Sequence, residues 1–137
     1  MKPPDDPEVA AWLAKAEEDS RAVGVLRAHA PTLDSVIGFH CQQAAEKQLK
    51  ALMVAVGLIP PRTHDLVALV EALELAVPQV TPVLEDAQYL NRFAVIPRYP
   101  VLVDPAETSG EVGAVAERRA GHVREVVSAV FEAAAAR

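Results

Sequence analysis

Cysteine, aromatic side chains and long uncharged runs are scarce in this chain of 137 residues. The one cysteine, Cys41, excludes an internal disulfide and a cysteine-rich zinc site. No stretch approaches the ~18 apolar residues that a membrane span needs. The acidic, proline-rich start, residues 1–8, is unlike a signal peptide. We therefore expect a cytoplasmic protein.

An excess of positive charge is also missing, because 13 Lys and Arg stand against 19 Asp and Glu, for a net charge of −6. Non-specific affinity for nucleic acid comes from neutralised phosphates, so this balance argues against a general nucleic-acid coat. It leaves room for a focused basic pocket. The four histidines have neither an HExxH pattern nor i,i+4 spacing among themselves, so no metal site is expected. No cofactor is expected either.

Alanine and valine supply most of the apolar content, with 25 Ala and 20 Val against six aromatic residues. Small side chains allow close packing, and alanine is the best helix former. The single asparagine, the two methionines and the 11 prolines are typical of a heat-adapted source. The length fits one domain, residues 1–137.

Prolines and glycines divide the chain into helical segments. Apolar spacing predicts long helices at about 7–30, at 34–56 and from a start within 104–109 to the end. Two shorter helices are expected between the second and the third of these long helices, one after Thr63 or Asp65 and one after Thr81. The last helix has a predicted apolar stripe of Val112, Val115, Val123, Val126 and Val130. The predicted fold is all-α, an up-and-down bundle of four or five helices, three long and two short.

The second predicted helix carries the densest group of polar side chains. His40, Gln43, Lys47 and Lys50 lie within about three turns on one side of it. Ammonium and amide donors at this spacing are suited to holding a phosphate or a nucleotide. The alternative is a solvated helix face with a Glu46–Lys50 pair worth about 0.2–0.5 kcal/mol.

A second candidate position is the helix start at 63–65, where free backbone amides favour anions. His64 is an acid–base candidate there, and the alternatives are that it pairs with Asp65 or covers the helix end. Cys41 falls on the inner face of its helix. It is therefore predicted to be a small buried side chain and not a nucleophile.

The candidate catalytic residues are Arg118, Arg119 and His122 on the last helix. Arg118 and His122 are four residues apart and thus neighbours on one side. An arginine for phosphate and a histidine for proton transfer are a minimal set for RNA cleavage. Arg119 falls within the apolar stripe, where a charge needs a partner or faces another subunit. The alternative is an exposed pair beside a structural arginine.

Together these motifs resemble the HEPN domain family. The run FHCQQAAEKQLKAL at 39–52 looks like the central helix of the family. Gly57, the Thr-His-Asp-Leu run at 63–66 and the Arg-Tyr-Pro run at 98–100 follow in the same order, and 12–19 resembles the first helix. The resemblance covers about residues 8–132.

The resemblance implies a homodimeric helical bundle that binds nucleotides or RNA. Small stand-alone members are often encoded beside a minimal nucleotidyltransferase, in toxin–antitoxin-like pairs. With Lys50 added from the spacing above, the resemblance gives the following ligand or partner surface: His40, Gln43, Glu46, Lys47, Lys50, His64, Asp65, Arg98 and Tyr99.

Many members of the family are metal-independent ribonucleases that carry an Arg, four to six intervening residues and a His. Here three residues separate Arg118 from His122 and two separate Arg119 from it. The expected function is therefore a non-catalytic nucleotide- or RNA-binding module that acts with a nucleotidyltransferase partner. A ribonuclease with an Arg/His pair at a dimer cleft is the alternative.

Overall fold

A computed structural model describes residues 1–94 and 109–137 of the chain. The long helices are α1 (Pro7–His29), α2 (Asp34–Ala55) and α5 (Glu111–Ala135). Two short helices, α3 (Leu66–Glu74) and α4 (Leu84–Leu90), lie between α2 and α5 in the sequence. One 3₁₀ helix (Pro78–Val83) precedes α4 and another (Asn91–Ala94) follows it.

The architecture is an all-α bundle, as the sequence predicts. No residue within the two described ranges lies in a strand. No helix in these ranges is long and apolar enough to cross a membrane. The predicted short helix after Thr81 is present, with a 3₁₀ helix on either side of it.

The helix ends follow from local chemistry. The Asp6 carboxylate accepts the N–H groups of Glu8 and Val9 and so caps α1, while Pro7 occupies the first turn. Gly57 follows α2 with φ of +85°, a left-handed conformation that favours glycine. These are the boundaries that capping and proline signals predict.

The start of α3 has a double cap. Asp65 accepts the N–H groups of Val67 and Ala68, at 3.0 and 3.3 Å. Asn91 accepts the N–H of Leu66 at 2.8 Å and donates its amide N–H to Asp65 at 2.8 Å. The hydrogen bond from Asn91 is the main reason that the pKa of Asp65 lies below its usual value. The cap joins the start of α3 to the end of α4.

Helix α2 is the centre of the fold, because α1, α5 and α3 all pack against it. Nearly every residue from Cys41 to Ala55 is buried, the charged pair Glu46 and Lys50 included. The solvated face considered for this pair is therefore wrong. The polar side of α2 is covered by α1 and by the chain that leads into α3, and a single-helix pattern does not reveal this covering.

Helix α5 docks on α2 through small side chains. The buried positions of α5 are one residue later than most of the predicted stripe: Gly113, Ala116, Val123, Val127, Val130 and Phe131. A Cβ on Gly113 would lie 2.8 Å from an Asp34 oxygen and 3.3 Å from Ile37. The close approach of the two helices therefore selects glycine and alanine for the contact, while Val112 and Val115 are half-buried. The helix also begins later than predicted, at Glu111.

The first residue of α2 caps α5. The buried Asp34 carboxylate accepts the N–H groups of Gly110 and Gly113, each at 2.8 Å. Gly110 has φ of +92°, and its carbonyl accepts a hydrogen bond from Arg27 of α1 at 3.2 Å. This junction fixes the register of α5, and so it sets which α5 side chains meet α4.

Candidate functional site

Three buried carboxylates each hold a histidine and a second cationic side chain. The first, Asp19 of α1, accepts from Nδ1 of His40 at 2.9 Å and from Nζ of Lys47 at 2.5 Å. His40 and Lys47 are seven residues apart on α2, which is two helical turns, so both reach the same carboxylate. We call this group the Asp19 cluster. Two of the predicted ligand-binding residues are therefore brought together, and both are tied to α1.

The second group lies where α2 meets the chain that precedes α3. Glu46 accepts from Lys50 Nζ at 3.0 Å, from His64 Nδ1 at 2.8 Å and from the Gln42 amide at 3.2 Å. The same Gln42 amide donates to the His64 carbonyl at 2.9 Å. Lys50 lies 5.7 Å from the centre of the Trp12 ring, within cation–π range. We call Gln42, Glu46, Lys50 and His64 the Glu46 cluster.

The other predicted surface residues have separate positions. Gln43 is half-buried and donates to the side-chain oxygen of Gln42 at 2.7 Å. Asp65 serves as the cap of α3, and the proposed His64–Asp65 pairing is replaced by the bond from His64 to Glu46. Arg98 and Tyr99 lie outside the described residues.

The third group joins α4 to α5. Asp86 accepts from Nδ1 of His122 at 2.6 Å and from Nη1 of Arg119 at 3.2 Å, one partner on each oxygen. The Asp86 side chain is only 4% exposed, whereas those of Arg119 and His122 are 37% and 44% exposed. We call these three residues the Asp86 cluster. It supplies the partner that the position of Arg119 requires.

Tyr89 of α4 extends this arrangement. Its ring centre lies 5.7 Å from the guanidinium of Arg119 and 4.2 Å from that of Arg92. Arg92 also donates to the Tyr89 carbonyl at 3.1 Å. An arginine near an aromatic ring keeps its charge and its outward donors while part of its surface is packed.

The sequence predicts that Arg118 and His122 are neighbours on one side of the last helix, and both lie on α5 four residues apart. His122 turns towards Asp86, beside Arg119, while Arg118 is exposed and has no ion-pair partner among residues 1–94 and 109–137. The two residues remain neighbours on α5. An exposed guanidinium therefore lies next to a histidine whose other ring nitrogen, Nε2, is not engaged by the carboxylate.

Sequence reasoning missed Asp19 and Asp86, although each has a signal. Asp19 follows the inner residue Ala16 by three positions, so it falls on the buried stripe of α1. Asp86 precedes the buried residue Leu90 by four positions, so it falls on the buried face of α4. The sequence indicates that Arg119 needs a partner, but its choice depends on packing between segments 33 residues apart.

Cys41 has the predicted character of a buried thiol. It is fully buried in the core, and this burial raises its pKa to about 12, with the charge of Glu117 adding to the effect. A thiol that stays protonated is a poor nucleophile. Within the described ranges no group of three or more His, Cys, Asp or Glu side chains is placed to hold a metal ion.

Comparison with known protein families shows which domain this chain contains. The HEPN domain matches residues 9–136, nearly the whole chain. The chain belongs to the HEPN family. Membership supports a nucleotide- or RNA-related module in general terms, and it confirms the resemblance drawn from the sequence.

A solved structure shares the HEPN fold seen here. The crystal structure of TT1696 from Thermus thermophilus superposes with a TM-score of 0.75, at 23% sequence identity. The match covers 88% of this chain and 95% of that one. At this identity the likeness shows the fold alone. No curated protein matches the chain.

Proposed function

We propose that this HEPN chain binds a nucleotide or RNA through phosphate contacts made by α5. The observation that carries the proposal is the placement of Arg119 and His122 on the buried Asp86, with the exposed Arg118 beside Arg119 on the same helix. All three side chains are at least partly exposed. Guanidinium groups bind phosphate oxygens through paired, charge-assisted hydrogen bonds, so this part of α5 has the chemistry of an anion site.

The contrast with the other two clusters supports α5 as the phosphate-binding element. Lys50 is buried against Glu46, and both His40 and Lys47 are less exposed than the corresponding residues of the Asp86 cluster. His64 is the exception, since its side chain is 65% exposed, but no guanidinium or ammonium group of its cluster is exposed beside it. A cation that is already desolvated and paired gains little from a second anion. The surface predicted around α2 accordingly fits contact with a protein partner better than contact with a free phosphate.

We further propose that the protein acts as a homodimer with a small nucleotidyltransferase partner, in a toxin–antitoxin-like pair. Family membership supports this assembly. Light scattering after size-exclusion chromatography measures the mass, and co-expression with a nucleotidyltransferase encoded beside this chain tests the pairing. Two protomers per particle and co-elution are expected. A monomer, or a partner that elutes separately, contradicts the assembly.

Fluorescence anisotropy with a labelled single-stranded RNA, competed by ATP, tests the binding. Replacing Arg118 by glutamine removes an exposed charge, and we expect about tenfold weaker binding. The control is Arg21→Gln, which removes one exposed charge from α1 and should leave the affinity unchanged. Absence of binding by the wild type at low salt, or equal losses in both variants, contradicts the proposal.

RNA cleavage is the second candidate function, and the bond between Asp86 and His122 favours it. With Nδ1 bound to the carboxylate, Nε2 is available to take the proton of a ribose 2′-hydroxyl. The 2′-oxygen then bonds to phosphorus, the bond from phosphorus to the 5′-oxygen breaks, and the leaving oxygen takes a proton from water. The hydroxide left by that water removes the proton from Nε2 and restores the neutral ring. The products are a 2′,3′-cyclic phosphate and a 5′-hydroxyl end.

An RNA cleavage assay of His122→Ala against His29→Ala tests this second function. His29 ends α1 and is exposed, so its removal is a matched loss of one imidazole. Cleavage should disappear in His122→Ala and persist in His29→Ala. If the wild type does not cleave, or if His122→Ala cleaves as well as the wild type, His122 is not a catalytic residue.

A further inference from the structure

We propose that Asp86 is the positioning residue of the α5 site, holding His122 in one ring orientation and one tautomer. The inference deepens the proposed RNA cleavage and rests on it. Asp86 lies on α4, where the family's Arg/His spacing gives no guidance. It is assigned from the contacts of its two oxygens.

The two oxygens of the Asp86 carboxylate contact different side chains. Oδ2 lies 2.6 Å from Nδ1 of His122, and Oδ1 lies 3.2 Å from Nη1 of Arg119. Because an ionised carboxylate only accepts hydrogen bonds, Nδ1 must carry the proton. The neutral ring then has Nε2 without a proton, as a general base requires.

The burial of Asp86 makes this orientation rigid. Its side chain is 4% exposed and is anchored on α4, while both of its partners project from α5 one turn apart. Arg119 is further confined by the Tyr89 ring. The cluster therefore holds a partly exposed imidazole and a partly exposed guanidinium in a fixed position, which is the arrangement that preorganised catalysis needs.

A purely structural ion pair between α4 and α5 makes different predictions. Asp86→Asn keeps the shape of the side chain and removes its charge. If Asp86 positions His122, this substitution should increase the fraction of the neutral ring that carries its proton on Nε2. The ¹⁵N chemical shifts of the ring measure that fraction. Under a structural role only the stability of the fold changes, while the ring of His122 keeps its tautomer.

Kinetics supply the second measurement. We expect Asp86→Asn to lower kcat for RNA cleavage by about a hundredfold or more. KM should change much less than kcat, because the side-chain oxygen of asparagine can still accept the hydrogen bond from Arg119. Val80→Ala is the control, since it removes buried volume from the 3₁₀ helix before α4 without touching a charged group. It should lose stability and keep both kcat and the tautomer of His122.

The outcomes separate this inference from the proposed function. If the wild type does not cleave RNA, the cleavage proposal fails and the ¹⁵N measurement alone decides the role of Asp86. An unchanged tautomer in Asp86→Asn overturns the positioning role. A changed tautomer with kcat equal to that of Val80→Ala overturns the link between Asp86 and catalysis.

Discussion

Buried charges are the residue-scale feature of this protein that is most open to measurement. Each of the four carboxylates buried within the described ranges, those of Asp19, Asp34, Glu46 and Asp86, accepts hydrogen bonds from at least two donors. Desolvation of a charge is costly, and partners offset the cost only while all of them are present. Removing one partner of a buried carboxylate should therefore lower the free energy of unfolding by more than a single exposed ion pair contributes.

Glu46 gives the clearest case. Glu46→Ala leaves the ammonium of Lys50 buried without its carboxylate, and we expect a loss of about 3–5 kcal/mol in the free energy of unfolding in urea. Glu18→Ala is the control, because Glu18 forms an exposed pair with Lys15. Its loss should stay below about 1 kcal/mol. Similar losses in the two variants would show that the Glu46 cluster is not a buried network.

Cys41 provides a prediction on pH. Its pKa in the folded protein, about 12, lies above the ordinary value of 9.0, so folding favours the neutral thiol. This contribution to stability is complete below pH 9.0 and is lost as the pH rises towards 12. Urea unfolding of the wild type and Cys41→Ala at about pH 8 and at about pH 11 measures it. The wild type should lose more stability than the variant, and parallel losses would contradict the burial of the thiol.

At the scale of elements, the junction between α2 and the 3₁₀ helix at Asn91–Ala94 requires glycine at position 38. A Cβ on Gly38 would lie 2.2 Å from Cδ1 of Phe93, whose ring is buried against α2. The aromatic ring thus fills the space that any other residue would occupy at position 38.

Gly38→Ala should therefore destabilise the fold, by about 1–3 kcal/mol, because Phe93 must move. Gly24→Ala is the matched control. Gly24 lies within α1, and no side chain or other segment comes within 4 Å of the position that its Cβ would take, so alanine should stabilise the helix by about 0.5–1 kcal/mol. Thermal unfolding measures whether each variant gains or loses stability relative to the wild type. A loss of stability in both variants would mean that the ring of Phe93 is not the cause.

Helix boundaries and helix faces differ in how well the sequence predicts them. Caps, prolines and glycines are local signals, so α1, α2 and the start of α3 lie where those residues place them. Which face of a helix is buried depends on the segments that pack against it. The stripe of α5 is shifted because Asp34 and Ile37 select the small Gly113, and the polar side of α2 is buried because other segments cover it.

At the scale of the whole molecule, the same distinction applies to the site. His40, Lys47, His64, Arg119 and His122 are recognisable from the sequence as chemically active side chains. Their partners are not, since each carboxylate that holds a histidine comes from another segment, 18 to 36 residues away. The family resemblance supplies the general function, whereas the pairing of residues needs the fold.

The overall charge of −6 leads to a prediction on salt. If phosphate meets only Arg118 and Arg119, the logarithm of RNA affinity should fall against the logarithm of salt concentration with a slope of about −1.4 per protomer. Arg118→Gln should reduce this slope by about 0.7, and Arg21→Gln should leave it unchanged. Anisotropy titrations over a salt series measure it. A much steeper slope would indicate a broad basic surface instead of a focused site.

The cap that Asp34 places on α5 has a consequence for the order of folding. Its two hydrogen bonds join residues 76 and 79 positions apart, whereas α1 and α2 meet through a short turn. Because closing a long loop costs entropy before its contacts form, we expect the α1–α2 hairpin to form early and α5 to dock late. Loss of the Asp34 carboxylate should then speed unfolding and leave the folding rate nearly unchanged. The slow unfolding of this HEPN bundle therefore depends on the docking of α5, the last helix to join it.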